Sequence, residues 1–414
     1  MQRCPNRAGH SKNSLPLGFL FAINCGMMVC IMARPKKNAP RPAPGPLAES
    51  VARLSRMLTR ERDDLPAAYL KDKGNREAYL GYFLPANLPK VHLPLRELSL
   101  HPGNLFARDR LRVLDLGSGP GTALLGVRDH FVQQDRRPVL EFTAVDQVEE
   151  NLRAAKSLFG ELEDDDRGRS VLRTVMSPIE SAGQHLVGQF DIVILSNVLN
   201  ELFRSDKDRI GKRTTFLGLT LDRLLADAGS CIIIEPALQE TSRDLLGVRD
   251  GLVDAGFGVY SPCLVQGRCP ALANPRDWCH EDRPWDPPAQ VREIDRRIGL
   301  RKDALKFSYL VLRKDGRSLA DVCGPDAFRV VSEPLVSKGK RELYLCGREG
   351  RRRAMRLDKD AAPGNRPFDQ LLRGDVVRCE GMAVEERLFR ITKGTQVLPL
   401  LAFRERPQED NPLP

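Results

Sequence analysis

The chain has 414 residues, 41% of them hydrophobic and 29% charged, with 33 Gly, 30 Pro and a formal net charge of +10. This composition excludes wholesale disorder and a fibrous repeat, and it supplies enough apolar side chain for one sizeable core or two to three smaller ones. Ten Cys in so long a chain are too sparse for the disulfide frameworks of small secreted domains.

The charge is unevenly spread. Residues 1–60 carry ten Lys and Arg against the single acid Glu49. Residues 61–300 sum to −6, residues 301–404 to +9 and the last ten residues to −2. Two basic ends therefore flank an acidic middle. Such ends attract polyanions such as RNA phosphates, or they simply solvate the surface.

At the N-terminus, Leu15 to Ala33 is apolar and follows Arg3, Arg7 and Lys12. It has the length of a membrane span. It reads as a targeting segment, an anchor, or untranslated sequence ahead of a later start at Met27, Met28 or Met32; Asn24 and two Gly interrupt it, and no small-residue cleavage site ends it. Residues 1–44 are read as a disordered or targeting leader, with an extended Pro-rich linker from Ala39 to Pro46. Val51, Leu54, Met57 and Leu58 then recur at helical spacing with Arg53, Arg56 and Arg60 on other faces. Ala78 to Pro85 predicts a short aromatic helix stopped by Pro85, its rings serving as core more readily than as a base-stacking platform. Residues 45–105 are expected to form a small helical domain.

The most informative segment is Leu111 to Thr122. Leu111, Val113, Leu114 and Leu116 predict a short buried strand, Gly117, Gly119 and Gly121 follow it, and a helix is expected from about Ala123. Glycines there let the backbone turn tightly from strand to helix and approach a ligand closely. Asp115 stands two residues before the first Gly, and the spacing is Gly-x-Gly-x-Gly. That pattern resembles motif I of the class I S-adenosylmethionine methyltransferases. A second strand ends in Asp146, an acid that accepts ribose hydroxyls at such a strand end and that a nicotinamide-binding fold would share.

Further strand–helix units continue the pattern. Val171 to Val175 precedes Ser177, where this superfamily often places an adenine contact. Phe190 to Leu195 is a buried strand ending in Ser196-Asn197-Val198-Leu199-Asn200-Glu201, and Cys231 to Ile234 ends in Glu235-Pro236. Alternating strands and helices over 106–260 predict an α/β fold with a doubly wound, mostly parallel sheet. Asn197 is a candidate cofactor contact; Asn197, Asn200 and Glu201 read equally well as helix caps. The strand end lacks an Asp/Asn-Pro-Pro-aromatic motif and a Cys nucleophile, so no catalytic residue is assigned.

Cys263, Cys269 and Cys279 fall within a Pro- and Gly-rich stretch with little hydrophobic periodicity. Thiols in such a loop suggest a holder other than a core. Without a Cys-x-x-Cys pair it is no usual zinc ribbon, and Cys269-Pro270 suggests an iron–sulfur loop, which wants four thiolates. Cys346 is the expected fourth ligand and Cys323 the second choice. Zinc with His280, or plain structural thiols, remain alternatives. The Cys loop and a final core strand fill residues 261–320.

From 321 to 405 short alternating runs separated by turn signals (328–331, 342–346, 353–357, 376–379 and 388–391) predict a small, basic, OB-like β-module before a tail at 406–414. Arg348, Arg351, Arg352, Arg353 and Arg356 cluster on one hairpin, where they are expected to contact phosphates.

Together, Tyr79 to Pro85, Val113 to Thr122, Asn197 to Leu202, Ile234 to Leu238, the Cys263–Pro270 loop, Asp277 to His280 and Lys306 to Leu310 resemble the methyltransferase-like family of ribosomal small-subunit assembly factors, found in mitochondria and as bacterial homologues. The resemblance covers about 75–350. It implies a Rossmann-like domain binding S-adenosylmethionine through Asp115, Gly117, Gly119, Gly121, Asp146, Ser177 and Asn197. It implies a [4Fe–4S] cluster on Cys263, Cys269, Cys279 and Cys346, and binding to the small ribosomal subunit and its rRNA. A monomer in the bacterial cytoplasm without stable membrane association is expected. An active rRNA methyltransferase, or a small-molecule methyltransferase with structural zinc, is the alternative.

Overall fold

The computed structural model describes residues 45–66, 68–162, 169–386 and 388–402; the apolar stretch at 15–33, the rest of the leader and the tail at 406–414 lie outside the described residues. In chain order come α1 (Pro46–Thr59), α2 (Lys73–Ala78), α3 (His92–Leu98), β1 (Arg110–Leu116), α4 (Thr122–Gln133), β2 (Val139–Asp146), α5 (Glu149–Gly160), β3 (Ser170–Met176) and β4 (Phe190–Ser196). They are followed by α6 (Arg209–Leu224), β5 (Leu225–Pro236), α7 (Gln239–Asp254), β6 (Gly258–Ser261), β7 (Glu281–Pro284), α8 (Ala289–Ile298) and β8 (Ala304–Arg313). A second set of strands, β9 (Ala327–Val330), β10 (Leu335–Ser337), β11 (Lys340–Gly347), β12 (Gly350–Leu357), β13 (Val376–Glu380), β14 (Ala383–Val384), β15 (Leu388–Ile391) and β16 (Gln396–Leu401), completes the chain.

The first sheet runs β3-β2-β1-β4-β5-β8-β6, with β7 paired to β8. Pairings from β3 through β5 are parallel, and those made by β8 are antiparallel. Alternate residues sort to opposite faces, as a strand period of two requires. Val113, Ile192, Ile194, Ile232 and Ile234 join one core, while Leu114, Leu116, Val193, Leu195 and Ile233 join the other. Burial on both faces is why these strands read as unbroken apolar runs.

The N-terminal helices share these cores. Leu84, Leu88, Val91, Leu95 and Leu98 belong to the same cluster as the sheet residue Val113, and α1 packs Val51 and Leu54 against Tyr82 and against Val291 and Ile294 of α8. Pro85 does not stop the helix. A π turn, Tyr79–Phe83, runs directly into Leu84–Asn87, where Pro85 occupies the first turn and no N–H is needed. Among the described residues no helix is long and apolar enough to cross a membrane.

The second sheet runs β14-β15-β12-β11-β9-β13-β16, with β10 paired to β11. The sequence signals mark β9, β11, β12, β13 and β15. The strands they miss are β10, whose three residues are all exposed, the two-residue β14, and β16, which carries Pro399 at the sheet edge. The two sheets are joined by buried charge: Glu97 of α3 accepts from Arg329 Nη2 of β9 at 2.6 Å and from the Tyr309 hydroxyl of β8. Both charged side chains are nearly inaccessible, at 0% and 4% exposure.

Candidate functional site

The glycine loop joins β1 to α4. Gly117, Gly119 and Gly121 all have positive φ (74°, 53° and 81°), a region that L side chains rarely adopt. A Cβ on Gly117 would stand 2.4 Å from Val198 Cγ2, whereas nothing lies within 4 Å of a Cβ position on Gly119. The loop is therefore pressed against the segment after β4 at Gly117, packed against Ala155 and Phe159 at Gly121, and open at its middle glycine. Gly117 and Ser118 N–H groups both donate to the Val145 carbonyl at 2.9 Å, tying the loop to the end of β2.

Asp146 ends β2 and organises the loop: one carboxylate oxygen accepts from Gly119 N at 2.9 Å, the other from Val148 N at 2.8 Å and Asn151 Nδ2 at 3.1 Å. Burial raises its carboxyl above the ordinary range and these donors offset part of the rise. Asp115, one residue before the end of β1, has a different fate. It is 1% exposed and neither oxygen has a hydrogen-bond partner. Burial, with the Asp146 charge second, pushes it up to about 8. A buried carboxylate without partners is costly, which favours its protonated form. Ser177 is 3% exposed; its N–H donates to the Asp146 carbonyl at 3.1 Å, which brings the ends of β2 and β3 together.

Asn197 follows β4 with φ 58° and donates its N–H to the Ile234 carbonyl at 2.7 Å. The helix-cap reading of Asn197, Asn200 and Glu201 does not hold, because α6 begins only at Arg209. Asn200 instead joins three elements. Its N–H donates to Glu235 Oε1 at 3.4 Å, its carbonyl accepts from the buried Arg213 Nη2 at 2.8 Å, and its side-chain oxygen accepts from Arg62. The N-terminal segment thus reaches the strand ends, and Tyr79 adds a hydroxyl contact to Thr122 at 3.3 Å.

Glu235 was not a sequence-level candidate. It is 1% exposed at the end of β5, its Oε2 has no partner, and burial raises it to about 7. The available signal was an acid closing the apolar run Ile232-Ile233-Ile234.

Cys263, Cys269, Cys279 and Cys346 line one pocket, the first three from the loop between β6 and β7 and the last from β11. Burial pushes the Cys269 thiol up to about 11 and Cys279 to about 12, and it raises Cys346 further; the charges of the neighbouring Cys add to each. Buried thiols of this kind are inert until a thiophilic metal draws off their protons. Among the described residues no group of three or more His, Cys, Asp or Glu side chains is arranged to hold a metal ion as it stands. Cys323 does not line this pocket; it is buried at the end of the short helix Leu319–Cys323. His280 also lies outside the lining and stacks on Trp278 with ring centroids 4.0 Å apart.

One helix holds the Cys loop. Asp250 of α7 accepts from Cys269 N at 3.0 and 3.1 Å, Arg249 donates to the carbonyls of Val265 and Gly267, and Arg243 donates to those of Asn274 at 2.9 Å and Asp277 at 2.6 Å. None of these three was legible as a site residue. Their partners lie 16 to 34 positions away, apart from the adjacent Arg249–Asp250 pair.

The arginine hairpin is largely occupied by its own fold. Arg351 pairs with Asp277 at 2.8 Å, Arg356 is buried against Asn365 and Asp369, and Arg352 sits over the Phe389 ring at 5.2 Å. Arg353 faces Glu342 at 3.3 Å but keeps 46% of its side chain exposed, and Arg348 is exposed.

The strand order, the glycine loop after β1 and the acid ending β2 define the Rossmann-like core of the class I S-adenosylmethionine methyltransferases, here with a second β-sheet attached. A sequence model of the mitochondrial small ribosomal subunit Rsm22 family matches residues 76–377, and the chain belongs to that family. No curated protein sequence matches it. Similar solved structures include an arsenic(III) S-adenosylmethionine methyltransferase from Chlamydomonas reinhardtii, 17% identical over 56% of this chain and 76% of its own, with TM-score 0.30. The fibrillarin pre-rRNA processing protein of Methanococcus jannaschii is 11% identical over 51% of this chain and 69% of its own, with TM-score 0.27.

Proposed function

We propose that the chain binds S-adenosylmethionine at the glycine loop and carries a metal–sulfur centre, a [4Fe–4S] cluster, on Cys263, Cys269, Cys279 and Cys346. We place its action on the small ribosomal subunit, through the rRNA, as a binding and assembly factor. The observation that carries this reading is the convergence of four thiols, from a loop without a core of its own and from a strand of the second sheet, on one pocket. The donor set is all sulfur, which suits iron–sulfur units or zinc. Such a centre, when bound, would hold the loop against the second sheet.

At the glycine loop, the open space at Gly119 gives room for a ligand, and Asp115 offers two unpartnered carboxyl oxygens to its polar and positive groups. RNA phosphates would meet Arg348 and Arg353, the members of the hairpin that keep substantial exposure. A second reading, methyl transfer to rRNA, is favoured by Glu235, a buried carboxyl with a free oxygen, raised to about 7 beside the loop after β4. A group near that value accepts a proton from a reacting nucleophile.

Anaerobic purification of the full chain, with metal, sulfide and bound RNA measured together, tests the proposal. Iron and sulfide with co-purifying small-subunit rRNA support it. A metal-free chain carrying no RNA contradicts it. Glu235→Gln then separates the readings, since loss of methyl transfer with RNA retained requires the enzyme.

A further inference from the structure

The same pocket holds three arginines that a thiol cluster alone does not explain. Arg249, Arg329 and Arg351 all line it together with the four Cys. Each uses its terminal nitrogens on the protein. Arg249 binds Asp250 and two loop carbonyls; Arg329 binds Glu97 and, at 3.2 Å, the Gly374 carbonyl; Arg351 binds Asp277. Each nonetheless leaves its Nε–H buried and without a partner. An unsatisfied buried donor is destabilising, and three in one cavity mark a place built for acceptors that the protein itself does not supply.

The carboxylates nearby are already engaged by the terminal nitrogens. Sulfur is the acceptor the remaining lining offers, and thiolate or sulfide sulfur accepts hydrogen bonds far better than a protonated thiol does. We propose that the Nε–H groups of Arg249, Arg329 and Arg351 donate hydrogen bonds to sulfur atoms of the metal–sulfur centre and so set its reduction potential. This rests on the cluster reading above. The three come from different elements, α7, β9 and β12. Donors from α7 and from two strands of the second sheet therefore meet at the one centre. Hydrogen bonds to sulfur favour the reduced, more negative cluster, so their removal lowers the potential.

The test uses the full chain purified anaerobically, with the cluster titrated by dithionite and followed by electron paramagnetic resonance. Arg351→Lys keeps the charge and the reach to Asp277 but removes the Nε–H. It is expected to retain iron and sulfide while its midpoint potential shifts to more negative values. Arg249→Lys should shift it the same way. Because Arg249 also holds the loop, Arg351→Lys, whose side chain is 17% exposed at the pocket edge, decides the matter if Arg249→Lys misfolds. A fully loaded Arg351→Lys protein with an unshifted potential overturns the donor role and leaves the cluster standing. A wild-type chain without iron and sulfide overturns the cluster reading, and the donor role falls with it.

Discussion

The glycine-loop site and the cysteine pocket are built in opposite ways. The first is made by consecutive strand–helix units, with Gly117, Asp146 and Asn197 at the ends of neighbouring parallel strands. Its geometry follows from local turns and from a sheet buried on both faces. The second is assembled from a loop between two short strands and a strand of the other sheet, and it is braced by α7 through buried ions. A site made of contiguous units survives as long as its sheet does. A site made of distant pieces depends on every long-range contact that holds them.

The largest expected effect falls on the glycine-loop side. The folded-state value of Asp115, about 8, lies above an unfolded value near 3.9, so the fold prefers the protonated form. Its contribution to stability is fully present below about pH 4 and is lost as pH rises to about 8, at roughly 1.4 kcal/mol per pH unit. Asp115→Asn should flatten that slope in denaturant melts compared at about pH 5 and about pH 8. It should also weaken S-adenosylmethionine binding in calorimetry. An unchanged slope would show that Asp115 is not the lone carboxyl described here.

Next in size is the joint between the sheets. Glu97→Gln strips the charge from a fully buried partner of Arg329 and should cost about 3–5 kcal/mol. Hydrogen exchange should then rise in β9 and β11 before it rises in β1 and β4. Uniform loss of protection would mean that the sheets open as one unit and would break the contrast between the two sites. Gly117→Ala should cost about 1–3 kcal/mol through backbone strain, compounded by the 2.4 Å approach to Val198. It should abolish S-adenosylmethionine binding while leaving metal content intact. The smallest effect is on RNA. Arg348→Ala and Arg353→Ala should each lower the salt slope of RNA binding by roughly one, with melting temperature unchanged, whereas Arg356→Ala should destabilise the fold instead.

This contrast also governs what could be read from sequence. The βα core was legible because its signals are local: apolar runs, three glycines at fixed spacing and acids at strand ends. Cys263, Cys269 and Cys279 were legible as residues, since thiols in a loop without periodicity stand out, whereas Cys346 sits in an alternating strand whose approach to that loop is a matter of tertiary structure. What braces them was not. Asp250, Arg249 and Arg243 look like ordinary polar positions of an amphipathic helix, and Glu97 and Arg329 are 232 positions apart. Pro85 was misread because a proline that ends one helix and a proline that begins the next look alike without the preceding π turn. That Arg351, Arg356 and Arg352 have partners within the fold was not legible, since Asp277, Asp369 and Phe389 reach them only in three dimensions.

The central claim is that the four thiols share one metal–sulfur centre that includes the second sheet. Iron and acid-labile sulfide per chain, determined side by side on anaerobically purified wild-type and Cys346→Ser proteins, test it most directly. The account predicts about four of each in the wild type and a clear loss in Cys346→Ser. A wild type with a single zinc and no sulfide, or a Cys346→Ser protein as fully loaded as the wild type, would contradict it.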